Sequence, residues 1–119
     1  MAFVERRAFP RVSFNVEVSY KIISSPEKIS DLTMRSKDIS GGGIRIVALE
    51  RLDPDTMLDL KFLLPGSKEP ISAIGRVVWT EEFTVGTLDS SKACEAGVQF
   101  VSISKEDRQK INQFVLSRL

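Results

Sequence analysis

The sequence contains no histidine and one cysteine among its 119 residues. Histidine is the commonest general base and the commonest transition-metal ligand of proteins, so its absence argues against most hydrolase and zinc chemistries. Cys94 alone can form neither an intrachain disulfide nor a thiolate cluster, and we interpret it as a structural residue. The sequence therefore predicts a protein that is not an enzyme and holds no metal.

The chain also lacks a charge excess and long apolar runs. Its 17 Lys and Arg oppose 16 Asp and Glu, a net charge of +1, whereas a general nucleic-acid binder carries a large basic excess. No apolar run approaches the roughly 18 residues of a membrane span. The start of the chain carries Glu5, Arg6 and Arg7 and has no signal-peptide core. We expect a cytoplasmic protein with no transmembrane segment that does not bind nucleic acid.

The length, 119 residues, predicts one domain, 1–119, with a core that needs no metal or disulfide. Apolar residues alternate with polar ones from Val12 to Ile22, the period of a strand with one buried face. Further strand-like segments are separated by glycine, proline and polar residues. They cover residues 32–37, 44–47, 57–64, 71–79 and 96–103. Gly75 is expected to mark a bulge or a close approach, and the acidic stretch 81–95 is expected to be a solvated loop.

The end of the chain has the pattern of a short helix. Ser104 precedes Asp107 by three residues, as in a capping box, and Ile111, Phe114 and Val115 then share one face. About six strands and one terminal helix predict a mainly β protein, either an antiparallel barrel or a sandwich, whose helix covers an open end or edge.

The first candidate site is a cluster of arginines ahead of the first strand. Arg7 and Arg11 are four residues apart, and Pro10 disfavours a helix at Phe9. In an extended segment the two guanidinium groups point the same way, about 13 Å apart. That separation suits a ligand with two anionic groups or two purine edges. A solvated basic tail is the alternative interpretation.

The second candidate site is the group Asp38, Ser40 and Gly43. All three residue types favour turns, so a plain hairpin explains them. They also have a binding chemistry, since a carboxylate can accept the two N–H donors of a guanine edge and the serine adds a hydroxyl. A glycine-lined turn further lets a ligand approach backbone N–H groups. From the residues alone both interpretations remain open.

In this order the two clusters resemble the PilZ domain, the bacterial receptor module for cyclic di-GMP. The family pattern is R-x-x-x-R followed, after a strand and a loop, by D/N-x-S-x-x-G. Here the pattern is Arg7-x-x-x-Arg11 and then Asp38-x-Ser40-x-x-Gly43. The resemblance continues through Gly75-Arg-Val-Val-Trp79, Gly97-Val-Gln-Phe100 and the terminal helix, and so covers nearly the whole chain.

The resemblance implies a six-stranded antiparallel PilZ-type β-barrel at 12–103, a flexible ligand-clamping segment at 1–11 and a C-terminal α-helix at 104–119. Arg7 and Arg11 would close over cyclic di-GMP, and the second motif, Asp38, Ser40 and Gly43, would hold a guanine. In the family, an arginine just before the first motif accompanies binding of two stacked ligand molecules, so Arg6 is included in the predicted site.

The predicted function is a cyclic di-GMP-binding effector or adaptor whose N-terminal segment and surface change on binding and so regulate a partner protein. Cyclic di-GMP is its ligand, and no cofactor is expected. The alternative is a PilZ-fold interaction adaptor that binds no nucleotide. A catalytic pair of Ser40 and Lys37 would need a buried amine and an oxyanion pocket, which nothing indicates. Trp79 and Phe100 are expected to belong to the core.

Overall fold

The computed structural model describes residues 11–13, 16–23, 32–48, 50–84 and 92–118. These parts of the chain form seven strands followed by one helix. In chain order they are β1 (Arg11–Ser13), β2 (Glu17–Ile22), β3 (Leu32–Ser40), β4 (Gly43–Ala48), β5 (Met57–Phe62), β6 (Ile71–Thr84), β7 (Lys92–Ile103) and α1 (Lys105–Arg118). Within the described ranges, no helix has the length and apolar character needed to cross a membrane.

The strands pair antiparallel in the order β1-β3-β2-β5-β6-β7-β4, and β3 also pairs with β4. Each strand from β2 to β7 therefore has a neighbour on both sides, and β1 is added beside the end of β3. The prediction of a six-stranded antiparallel β fold with a C-terminal helix is confirmed, with β1 as a further short strand.

The single strand predicted over Val12–Ile22 is divided in two. β1 pairs with the end of β3, where Ser13 lies opposite Asp38, whereas β2 pairs with its beginning, where Glu17 lies opposite Arg35. The alternation of apolar residues continues through the division, so hydrophobic patterning alone could not locate it.

The core fills the space enclosed by the strands and is closed by the helix. Val18, Ile39, Ile46, Leu58 and Leu60 have no exposed surface. Fully burying a side chain of this size contributes roughly 1.5–3 kcal/mol. Cys94 is 1% exposed within the same cluster, consistent with a structural role. From α1, Ile111 and Val115 join the core, which confirms the predicted apolar face of the helix.

The prediction of a solvated loop over 81–95 is wrong at both ends. β6 continues to Thr84 and β7 begins at Lys92, and Glu81 lies opposite Glu95 in their ladder. Glu81 and Glu82 are exposed and Glu95 is partly exposed, whereas Ala93 and Cys94 are buried. Acidic composition indicated solvent contact, but it did not indicate backbone conformation.

Gly75 was expected to mark a bulge or a close approach, and the close approach is confirmed. The register of the β6–β7 ladder also shifts beside it, but the extra residue there, Val101, belongs to β7. A Cβ atom on Gly75 would lie 2.3 Å from Cγ1 of Val98 on β7. The space that a side chain would need is thus already filled, and glycine permits the close approach of the two strands.

The helix begins with the predicted cap, because the backbone N–H of Asp107 donates to Oγ of Ser104 at 3.0 Å. The carboxylate of Asp107 accepts from the backbone N–H of Ser72 at 3.2 Å. This bond attaches the first turn of α1 to β6.

Candidate functional site

The strand register shows which face of the sheet carries the two motifs. One row of directly opposed residues runs Val12, Ile39, Ile44, Val98 and Val77 across β1, β3, β4, β7 and β6. The last four are buried in the core. Because side chains alternate along a strand and opposed residues share a face, the side chains of the two neighbouring rows on β3, β4, β7 and β6 project outward.

The first outward row joins the two sequence motifs. Across the same five strands it runs Arg11, Ser40, Gly43, Gln99 and Arg76. The backbone of Arg11, the last residue of the arginine motif, therefore pairs directly with Ser40 of the second motif.

Two predicted site residues, Arg6 and Arg7, lie outside the described residues. Of Arg11 the structure gives the backbone position. Asp38, Ser40 and Gly43 are all placed, at the end of β3 and the start of β4.

The second outward row carries Asp38. It runs Ser13, Asp38, Arg45, Gly97 and Trp79 across the same strands. Asp38 thus has Arg45 as its cross-strand neighbour on β4.

The second motif forms a tight hairpin, as its turn-forming residues predicted. Ser40 pairs with Gly43 around the turn of Gly41 and Gly42, and the N–H of Gly42 donates to Oγ of Ser40 at 3.1 Å. The carbonyl of Gly42 accepts from the backbone N–H of Phe100 at 2.9 Å. The motif is therefore attached to β7 on one side.

The same turn is also attached to the helix. Nε of Arg108, in the first turns of α1, donates to the carbonyl of Gly41 at 3.0 Å. Since Gly41 lies inside the motif, the helix and the candidate site are in direct contact.

Gly43 has a structural reason to be glycine. A Cβ atom at this position would lie 2.3 Å from the carbonyl oxygen of Val98 and 3.3 Å from Cα of Gln99. Both obstacles are backbone atoms of β7, which cannot rotate away as a side chain can. Gly43 therefore permits the close pairing of β4 with β7, whether or not a ligand is bound.

The motif side chains are buried despite facing outward. Asp38 and Ser40 are each 4% exposed. Nη2 of Arg45 lies 2.9 Å from Oδ2 of Asp38, and the two side chains are 34% and 6% exposed. A carboxylate removed from water needs such a partner, because burial without one is very costly.

Arg45 is a site residue that the sequence reasoning missed, although its signal was present. A two-residue turn at Gly41 and Gly42 fixes the pairing of Ser40 with Gly43. Counting outward then places Asp38 opposite Arg45, as the structure has them. The predicted hairpin would have identified this pair if it had been extended residue by residue.

The prediction that Trp79 and Phe100 are both core residues is half right. Phe100 is 5% exposed, but Trp79 is 40% exposed and projects outward. Its indole covers Gly97, where a Cβ atom would lie 2.2 Å from Nε1. The register shift between Val77 and Trp79 inserts one residue and so reverses the alternation.

The architecture is that of a small antiparallel β domain with a terminal helix, in which the backbone of Arg11 pairs with the D-x-S-x-x-G motif. The family model of the PilZ domain matches residues 5–117. The chain belongs to the PilZ domain family. None of the curated proteins is similar enough in sequence to be matched.

Several solved structures share the fold. The PilZ domain of YcgR from Escherichia coli, solved with c-di-GMP, has a TM-score of 0.70 at 15% identity, covering 95% of this chain and 91% of that one. The inhibitor of motility MotI/DgrA from Bacillus subtilis gives 0.75 at 23% identity, covering 97% and 52%. The MrkH–c-di-GMP complex from K. pneumonia gives 0.71 at 21% identity, covering 97% and 53%. This chain spans about half the length of MotI and MrkH.

Proposed function

We propose that this protein is a cyclic di-GMP receptor that acts without catalysis and regulates a partner protein. The observation that supports the proposal is the pairing of Arg11, the last residue of the arginine motif, with Ser40 of the second motif. Solved relatives of the same fold support the choice of ligand, since YcgR and MrkH have been crystallised with c-di-GMP.

The site chemistry suits a cyclic dinucleotide. Asp38 supplies a carboxylate for the N–H donors of a guanine edge, and Ser40 adds a hydroxyl. Arg7 and Arg11 supply two guanidinium groups for the phosphates or for a second purine edge. The glycines around Gly43 shape the turn that presents these groups.

Arg6 would determine how many ligand molecules bind. One cyclic di-GMP carries two negative charges, which Arg7 and Arg11 can match, whereas a stacked pair carries four and needs further cationic contact. We propose that Arg6 supplies that contact and that two stacked molecules bind to each chain.

The output would be a change in the surface around the motif. Asp38 and Ser40 are each 4% exposed, so in this proposal the surface around them moves when the ligand binds. The bond from Arg108 to Gly41 couples such a movement to α1. The arginine segment would close over the ligand, and a partner protein would sense the resulting changes in segment 1–11 and in α1.

One observation favours a second candidate, an interaction adaptor that binds no nucleotide. Asp38 and Ser40 are largely buried, which leaves little of either side chain for a ligand to contact. In that case the hairpin would be kept for its packing, and the partner would dock on the surface independently of any ligand.

Titration calorimetry with cyclic di-GMP distinguishes the two candidates, with GMP and a short RNA as control ligands. The receptor proposal expects a dissociation constant near the micromolar scale, about −8 kcal/mol. Arg11→Ala should weaken binding at least tenfold, whereas Arg51→Ala should not, because Arg51 lies in an exposed pair with Asp53. No heat with the wild type up to millimolar ligand would reject the receptor and favour the adaptor.

Amide hydrogen exchange tests the proposed clamp. If the arginine segment closes over the ligand, residues 5–11 should gain protection at saturating cyclic di-GMP. Unchanged protection in a protein that binds the ligand would show that the signal does not pass through this segment.

A further inference from the structure

We infer that Arg45 is the positioning residue for guanine recognition: it holds the carboxylate of Asp38 in the orientation that reads the base. The inference rests on the proposed function and adds a residue outside both sequence motifs. It concerns selectivity for the base that Asp38 contacts.

The geometry of the pair supports this role. Asp38 and Arg45 are directly opposed on β3 and β4. One residue pair, Ile39 and Ile44, separates them from the Ser40–Gly43 pair that closes the hairpin turn. Nη2 of Arg45 approaches Oδ2 of Asp38 to 2.9 Å, and the aspartate side chain is 6% exposed. A buried carboxylate bound to a guanidinium has little freedom to rotate, so the ion pair with Arg45 restrains the orientation of the Asp38 carboxylate.

The surroundings of Arg45 favour a fixed side chain over a mobile one. Its neighbour on the other side, Gly97, has no side chain and is covered by the indole of Trp79. Nε of Arg45 is buried and has no hydrogen-bond partner among the described residues. The ion pair between Nη2 and Asp38 offsets part of the cost of burying this guanidinium.

The chemistry of the base explains why orientation matters. Guanine presents N1–H and the exocyclic amino group side by side, and a carboxylate accepts from both only when its plane lies along that edge. Hypoxanthine has N1–H but lacks the amino group. Preference for guanine over hypoxanthine is thus a direct measure of how well Asp38 is aligned.

A double-mutant cycle measured by calorimetry tests the inference. The proteins are the wild type, Asp38→Asn, Arg45→Met and the double variant, each titrated with cyclic di-GMP and with cyclic di-inosine monophosphate. We expect the wild type to prefer cyclic di-GMP by roughly tenfold, the value of one lost hydrogen bond to a charged group. Arg45→Met should remove most of that preference and weaken cyclic di-GMP binding by roughly tenfold.

The cycle shows whether Arg45 acts through Asp38. If it does, adding Arg45→Met to Asp38→Asn should change the affinity for cyclic di-GMP by less than about twofold, because the carboxylate that Arg45 positions is already absent. If Arg45 contacts a phosphate directly, its removal should cost the same in both backgrounds and with both ligands. That additive result would overturn the inference.

Two further variants control for folding. Arg51→Met removes an arginine whose ion pair with Asp53 has the same N···O distance, 2.9 Å, but is exposed on a loop. This variant should leave the base preference unchanged. Arg45→Lys keeps the charge without the planar fork, so it should fold when Arg45→Met does not and should restore only part of the preference. Full wild-type preference in Arg45→Lys would contradict the orienting role.

The proposed function and this inference fail in different ways. A wild type that binds neither ligand rejects the receptor and the inference with it. A wild type that binds cyclic di-GMP with no loss in Arg45→Met leaves the receptor intact and rejects the role of Arg45.

Discussion

Gly43, an element of the family's ligand motif, should be needed for folding even when no ligand is present. In Gly43→Ala, the added methyl group would lie 2.3 Å from the carbonyl oxygen of Val98, roughly 1 Å inside normal contact. The obstacle is backbone, so β4 and β7 must separate locally. Overpacking of this kind costs roughly 1–3 kcal/mol, which for a domain near this size lowers the melting temperature by about 4–12 °C.

Thermal unfolding of the unliganded protein measures this effect. Gly97→Ala provides the control, because its methyl group would meet the indole of Trp79, a half-exposed side chain that can move, and the loss should be smaller. If Gly43→Ala has the same melting temperature as the wild type and is impaired only in cyclic di-GMP binding, then the glycine is needed for the approach of the ligand. The packing explanation would then be refuted.

Three further predictions concern the ligand and pH. Arg7→Ala and Arg11→Ala should each weaken cyclic di-GMP binding at least tenfold by calorimetry without lowering the melting temperature, and wild-type affinity in both would remove them from the site. Arg6→Ala should change the binding ratio from two to one, and an unchanged ratio would show that Arg6 does not set it. Burial, followed by the bond to Glu50, raises the pKa of Tyr20. The unfolded chain then loses the phenolic proton first, so unfolding free energy should fall above about pH 10, and Tyr20→Phe should flatten that fall in urea titrations.

Local sequence features predicted the elements of the fold well. Alternation located β2 and β5, Ser104 identified the start of α1, and the glycine run identified the hairpin between β3 and β4. Each of these signals depends on a few neighbouring residues. Such signals are strong because turns, caps and one-sided burial restrict which residues fit.

Features that depend on contacts between strands distant in sequence were harder to predict from the sequence. The outward position of Trp79 follows from a bulge that requires β7 as a partner, and the alternation of β6 alone favours the core. The burial of Asp38 likewise depends on its packing within the folded sheet. The ligand motifs could be recognised from sequence, but the pairing of Arg11 with Ser40 became visible only through the register.

The position of Trp79 gives the protein an intrinsic optical probe. It is the chain's single tryptophan, and its side chain is partly exposed to solvent. It lies on the same cross-strand row as Asp38. Three strand spacings separate the two residues, about 14 Å. Indole emission shifts with local hydration, and a stacked purine quenches it. A ligand that occupies the row should therefore change the emission of the unlabelled protein, whereas one that binds elsewhere should leave it unaltered.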